Sequence, residues 1–220
     1  MGYELDFSAI AANFGLLLHG AGLTLALAAI AATLGMGFSI GGAATRRWGP
    51  AWAQGLVGAY VELIRNTPFI VQLFFVFFGL PAAGVKLSPE LASVIAMVIN
   101  LSAYATEIIR AGIEATPRGQ IEAALSLAMN RAQIFLRVVL PPALRKVWPA
   151  LVSQIIIVML GSAVCGQIST EELSYAANLI QSRNFRAFEA FIIATAIYLA
   201  LSVGLRKLLN WLGPRFFFGR

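Results

Sequence analysis

Apolar residues dominate this chain in long blocks separated by short polar segments. Five blocks approach the roughly 20 residues that a helix needs to cross a bilayer. They are roughly Phe14 to Ile40, Trp52 to Leu80, Leu91 to Ile113, Val147 to Cys165 and Ala187 to Leu208. The first is rich in alanine, and Gly20, Gly22, Gly35 and Gly37 allow close helix contact there. The second is interrupted by Glu62, Arg65, Asn66 and Pro68. Between the third and fourth blocks runs Gly119 to Pro142, a polar-containing segment. Thr116 and Pro117 read as an N-cap followed by proline at the first helical position. Ile121, Ala124, Leu125 and Ala128 then recur at i, i+3, i+4 and i+7, which predicts a short helix with one narrow apolar stripe; Glu122 and Ser126 lie off it. Asn130 reads as a stop. Arg131 to Leu140 begins a second amphipathic piece that Pro141 and Pro142 end or kink.

Composition agrees with a membrane protein. Of 220 residues, 59% are hydrophobic and 12% charged, with mean hydropathy +0.80; a soluble domain carries about 25% charged residues. The expectation is one all-α transmembrane domain over residues 1–220. The net charge of +6 raises the question of nucleic acid, but the basic residues are spread over the polar segments rather than gathered on one face. With the N-terminus outside, the inner segments hold Arg46, Arg47, Arg110, Arg118, Arg131, Arg137, Arg145, Lys146, Arg206, Lys207, Arg215 and Arg220. The outer ones hold Lys86, Arg183 and Arg186, and Arg65 falls within a span. This asymmetry predicts N-terminus outside, C-terminus inside, and the 116–142 segment in the cytoplasm. The first residues carry Glu4 and Asp6 but no Lys or Arg, unlike a secretory signal. A single Cys165 and a single His19 argue against a disulfide, a cysteine metal cluster or a catalytic triad. No Gly-x-x-x-x-Gly-Lys-Ser/Thr loop occurs, so any ATP would be hydrolysed by another subunit and no cofactor is expected.

Glu122-Ala123-Ala124, followed at a distance by Leu140-Pro141, resembles the EAA loop of binding-protein-dependent ABC importer permeases. Tyr60-Val-Glu-Leu-Ile-Arg-Asn-Thr-Pro68, Tyr104-Ala-Thr-Glu-Ile-Ile-Arg-Ala-Gly112 and Gly119-Gln120 are similar to recurring blocks of the polar amino acid branch, the histidine, glutamine and glutamate type. The resemblance runs over roughly residues 15–210. It implies the type I importer permease fold, with five spans and a short cytoplasmic coupling helix, in the bacterial inner membrane. It also implies two ATP-binding cassette ATPase subunits, a second permease subunit (identical or similar), and an extracytoplasmic amino-acid-binding protein as partners, with no nucleic acid. Docking of the ATPase then falls to Gln120, Glu122, Ala123, Ala124, Leu125, Ala128 and Asn130. The chain departs from the family's pattern twice. Ala128 stands where glycine is usual, which suggests that the sharp turn moves to Asn130. Leu160-Gly161-Ser162-Ala163-Val164 stands where a Lys-Asp-(Ser/Thr)-Ser-Leu run is common.

The remaining polar residues each admit two readings. Without the family blocks, the helix around Glu122 reads equally as an interfacial helix lying on lipid through Leu125, Leu127 and Met129. Glu62 with Arg65, and Glu107 with Arg110, are spaced to pair along a helix; they line a translocation path or brace the bundle near the inner face. Thr67-Pro68 is a hinge or a fixed kink. Asn100 and Gln154 line the path or hydrogen-bond between helices. The aromatic-rich run from Asn66 to Phe78 reads as lipid or subunit packing or as an apolar periplasmic gate, and Glu171 and Glu172 as a solvated loop or a contact for the binding protein. A stand-alone ion-coupled transporter or channel is the rival function. Five spans, no inverted repeat and few intramembrane acids count against it. An ATPase-anchoring scaffold is a further rival.

Overall fold

The computed structural model describes residues 5–217; Glu4 and Arg220, used in the charge argument, lie outside them. Regular structure among the described residues is helical throughout. In order, the helices are α1 (Ser8–Ala12), α2 (Phe14–Trp48), α3 (Ala51–Arg65), α4 (Phe69–Phe74), α5 (Leu80–Ala82) and α6 (Pro89–Glu114). There follow α7 (Arg118–Ser126), α8 (Arg131–Gln133), α9 (Leu140–Gly161), α10 (Leu173–Asn184) and α11 (Ala187–Leu212). Four continuous helical stretches are long and apolar enough to cross a membrane: Phe14–Trp48, Pro89–Glu114, Arg131–Ile168 and Ala187–Arg215. The fifth expected span is broken. Its two halves, Ala51–Arg65 and Phe69–Ala82, bend by 110° at the break.

The fourth span differs from its sequence reading. Pro141 and Pro142 neither end nor interrupt the helix, which runs on from Arg131 through a π-helical turn at Ile134–Val139 into α9. A wide i→i+5 turn stands just before the two prolines, whose rings would crowd the preceding turn of a regular α-helix. Pro149 is likewise inside α9. Beyond Gly161 the chain tightens into a 3₁₀ segment, Ser162–Ile168, and ends with Ser169 in the left-handed region at φ 66°. This segment contains the Ser162-Ala163-Val164 departure noted above.

The chain divides into two compact units, each assembled from separate segments. The first comprises Met1–Ala31, Pro68–Val98 and Ile156–Leu205. Its core packs Leu17 and Ala21 of α2 with Leu173, Ala176, Ala177 and Ile180 of α10 and with Ala190 and Ala194 of α11. Small residues set the spacing. A Cβ at Gly20 would stand 2.9 Å from both the Glu172 carbonyl oxygen and the Leu173 Cα, so the backbones of α2 and α10 meet directly there. Gly22 has open space around it.

In the same unit the reading of Glu172 as a solvated loop residue is overturned: the residue is fully buried. Its carboxylate caps α10, accepting from the Tyr175 amide at 2.8 Å and from the Tyr198 hydroxyl at 2.5 Å. A residue in a Glu-Glu pair reads as solvated from sequence because nothing local shows that Tyr198 waits 26 residues on. Glu171 is exposed. Glu189, also fully buried, accepts from the Asp6 amide and from Arg186, which ties the chain before α1 to the start of α11.

The second unit comprises Ala32–Thr67, Ile99–Ile155 and Arg206–Arg220. Here α2 and α6 approach closely. Gly35 lies against the Leu101 side chain and Gly42 against Thr106, whereas Gly37 has nothing near. Tyr60 of α3 donates to the Ile99 carbonyl at 2.7 Å and contacts Ser102 at 2.6 Å on α6. Gly112 lets α6 press on α9, since a Cβ there would lie 2.8 Å from the Ala143 carbonyl oxygen.

Candidate coupling site and helix break

The short helix expected around Glu122 is α7, but its ends are not where the sequence pattern puts them. Pro117 is itself the N-cap, extended at ψ 134°, and Arg118 is the first helical residue. Proline there lacks the side-chain oxygen of a capping residue, and α7 has no side-chain N-cap bond. At the other end the turn is not shifted to Asn130. Ala128 takes it, in the left-handed region at φ 57°. The Met129 amide donates to the Ala124 carbonyl and the Ala128 amide to the Leu125 carbonyl, the paired bonds of a Schellman C-cap with alanine in the glycine position. Asn130 is extended and does different work. It caps α8 in a reciprocal box, accepting from the Gln133 amide while the Gln133 side chain accepts from the Asn130 amide, both at 2.9 Å.

Of the apolar stripe only Ala124 is buried, and Ile121 is partly so. Gln120, Glu122, Ala123, Leu125, Ala128 and Asn130 are open to solvent to differing degrees, with Leu125 56% accessible. Ala124 and Ile121 are thus the most covered residues of the helix, and its other side chains are exposed. Beside it runs a groove of about 380 Å³ walled by Ile121, Leu125, Arg131 and Ile134 on one side and by Arg47, Trp48, Gly49 and Gln54 on the other. Trp48 is steadied by an edge-to-face contact with Phe135, centroids 5.3 Å apart.

Of the residues considered for a path, Glu107 sits in a charge network. Its Oε2 accepts from Arg110 at 2.7 and 2.9 Å, and its Oε1 lies 3.7 Å from Nε of Arg46. Arg110 also pairs with Glu114. Glu62 and Arg65, expected to pair, form no ion pair among the described residues. Arg65 instead stands over the Tyr104 ring, 5.5 Å from its centroid, and the Tyr104 hydroxyl donates to the Arg65 carbonyl at 3.3 Å. Gln154 is buried in α9 and Asn100 half-buried in α6. Thr67 and Pro68 make the break. The Thr67 hydroxyl and the Asn66 amide side chain donate to the Leu63 and Glu62 carbonyls, closing the end of α3. Pro68, extended at ψ 141°, then starts α4. Three features escape a reading of the sequence: the part played by Arg46, the left-handed Ala128, and helix α10. Its apolar residues Leu173, Ala176, Ala177 and Ile180 do recur at i, i+3, i+4 and i+7, the signal that would have found α10, although half of them are alanine.

The family model of the binding-protein-dependent transport system inner membrane component matches residues 33–218. The chain belongs to this family. The probable glutamine ABC transporter permease protein GlnM of Bacillus subtilis (strain 168) is 37% identical over 162 residues, covering 74% of this chain and 75% of that protein. The glutamine transport system permease protein GlnP of Escherichia coli (strain K12) is 32% identical over 214 residues, covering 96% and 98%. The nopaline transport system permease protein NocM of Agrobacterium fabrum is also 32% identical, covering 96% and 93%. Among solved structures, an amino acid ABC transporter crystallised with histidines matches with TM-score 0.86 at 35% identity, covering 97% of this chain and 100% of that one. The inward-facing MetNI methionine ABC transporter matches with TM-score 0.71 at 22% identity, a likeness of fold alone. The permease is thus an all-helical ABC importer subunit of the type I fold. The stand-alone carrier weighed above gives way, because this family works with a binding protein.

Proposed function

We propose that this permease forms, with a second identical or similar subunit, the membrane path of an ATP-driven uptake system for polar amino acids or close derivatives. The spans act as one transmembrane domain, with the N-terminus outside and α7 in the cytoplasm. A separate pair of ATP-binding cassette subunits hydrolyses ATP and grips α7 through Gln120, Glu122, Ala123, Leu125 and the Ala128–Asn130 turn. An extracytoplasmic binding protein delivers the amino acid. The observation that carries this reading is the exposure of α7. A nine-residue helix whose only buried residue is Ala124, with Ile121 partly covered, leaves Gln120, Glu122, Ala123 and Leu125 exposed for a partner. The amino acid names of the relatives supply the substrate class.

In mechanical terms, ATP closure pushes α7, and the short Ala115-Thr116-Pro117 link passes the push to α6. The break at Thr67–Pro68 supplies a place where the α3–α4 pair yields, and Glu62, Arg65, Asn100 and Gln154 are the polar groups available to line a path. The test is Glu122→Lys in the complex purified from membranes. The variant inserts normally, but the ATPase subunits no longer co-purify, or their hydrolysis no longer responds to ligand-loaded binding protein. Full assembly and full stimulation in that variant would remove α7 from the mechanism.

A further inference from the structure

Arg46 lies in the last turn of α2, and its guanidinium reaches two other helices. Towards α3, Nη1 donates to the Gln54 carbonyl at 3.3 Å. The same nitrogen occupies the space that a side chain at Gly58 would need, since a Cβ built there collides with it. Gly58 is itself buried. Towards α6, Nε faces Oε1 of Glu107 at 3.7 Å, with side-chain exposures of 30% and 17%. Neither of those two atoms has a hydrogen-bond partner among the described residues. The second oxygen of Glu107 is held by Arg110, which also holds Glu114. Arg46, Glu107, Arg110 and Glu114 therefore form one cluster of charges, with Arg65 also within electrostatic reach of Glu107. In a partly desolvated site, how these charges are held against one another decides whether such a cluster stabilises or costs.

The cluster sits where force from α7 must pass. Glu114 ends α6, and α7 begins at Arg118. A push on α7 reaches the last turn of α6 first, and Arg110 and Glu107 are one and two turns back along that helix. We infer that Arg46 is a positioning residue for coupling: through the slot at Gly58, the Gln54 carbonyl and the Glu107 carboxylate it binds the ends of α2, α3 and α6 into one body, so that force on α7 moves three helices together. This assigns Glu107 to bracing rather than to a substrate contact, because Arg110 occupies one of its oxygens and Arg46 faces the other. The inference rests on the coupling function proposed above.

Two substitutions separate the geometry from the charge. Gly58→Ala expels the guanidinium without altering any ionisable group. Arg46→Lys keeps the charge but replaces the planar fork with a shorter point charge that cannot serve α3 and α6 at once. Each is measured in the intact complex with its ATPase, reconstituted in liposomes, by comparing basal hydrolysis, hydrolysis stimulated by ligand-loaded binding protein, and amino acid taken up per ATP. In both variants the complex assembles and basal hydrolysis stays at the wild-type level, while uptake per ATP falls about tenfold, within the usual range of coupling between sites. A lower unfolding temperature with unchanged uptake per ATP would reduce Arg46 to a structural brace and overturn the inference, as would wild-type behaviour in both variants. If wild-type hydrolysis itself ignores the binding protein, the proposed function has failed rather than the role of Arg46.

Discussion

At the scale of single residues, contact distances separate glycines that the sequence treats alike. Gly20 and Gly22 both lie in the first span, yet a Cβ at Gly20 meets two backbone atoms of the α10 start at 2.9 Å while one at Gly22 meets nothing. Backbone cannot move aside like a side chain, so Gly20→Ala costs about 1–3 kcal/mol in overpacking. Gly22→Ala is neutral or slightly stabilising through helix propensity. Thermal unfolding of the two variants in detergent checks the contrast, and equal midpoints would refute it. Glu172 offers a pH test. Burial pushes its carboxyl above the ordinary value of 4.5, although the Tyr198 hydroxyl and backbone amides pull the other way. The folded chain thus binds this proton more tightly than the unfolded chain. The stability it contributes is whole below the ordinary value and is lost as pH rises through the raised one. Glu172→Gln keeps an acceptor for Tyr198 and carries no titrating proton, so stability falls less between acid and neutral pH than in the parent. An identical pH slope would mean that another group titrates.

At the scale of elements, the sequence is most legible where the apolar period is long and least legible at turns. Unbroken helices long and apolar enough to cross a membrane begin at Phe14, Pro89 and Ala187, close to the starts of three of the apolar blocks. The broken span is foreshadowed by Asn66, Thr67 and Pro68, since proline lacks a donor and disfavours helix in the residue before it. Proline misleads at Pro141 and Pro142, where a π turn just upstream lets the helix run through. The EAA segment is recognisable as a helix, but the preference of alanine against positive φ points to Asn130 for its end. Tertiary and capping bonds outweigh that preference: the Schellman pair forms around Ala128 and leaves Asn130 free to cap α8. The strain of alanine in the left-handed region is roughly 1–2 kcal/mol. Ala128→Gly therefore stabilises the protein by about 0.5–1 kcal/mol after glycine's own entropy loss, read as a higher unfolding midpoint with ATPase binding retained. A lower midpoint would show that the turn needs alanine.

At the scale of the whole molecule, the division of labour follows from what each region is built of. The first unit is knit by small-residue contacts and by buried Glu172 and Glu189, each held by hydrogen bonds. The second carries the α7 helix, the Arg46–Glu107–Arg110–Glu114 cluster and the groove beside Trp48. The Glu107–Arg110 pair is legible from its i, i+3 spacing and is present, whereas Arg46 beside Glu107 and Tyr198 beside Glu172 are not legible, because the fold brings them in from distant segments. In the function proposed above the chain spends no ATP itself and receives its motion from a partner, so the side of the membrane on which α7 lies is the central claim. Ser126, exposed at the end of α7, is the reporter, and the native Cys165 is buried and silent. A Ser126→Cys chain in intact cells, treated with a membrane-impermeant maleimide, should react only after the inner membrane is opened. Labelling of that variant from outside intact cells, with the parent chain unlabelled, would put the helix out of reach of any cytoplasmic ATPase and contradict the account.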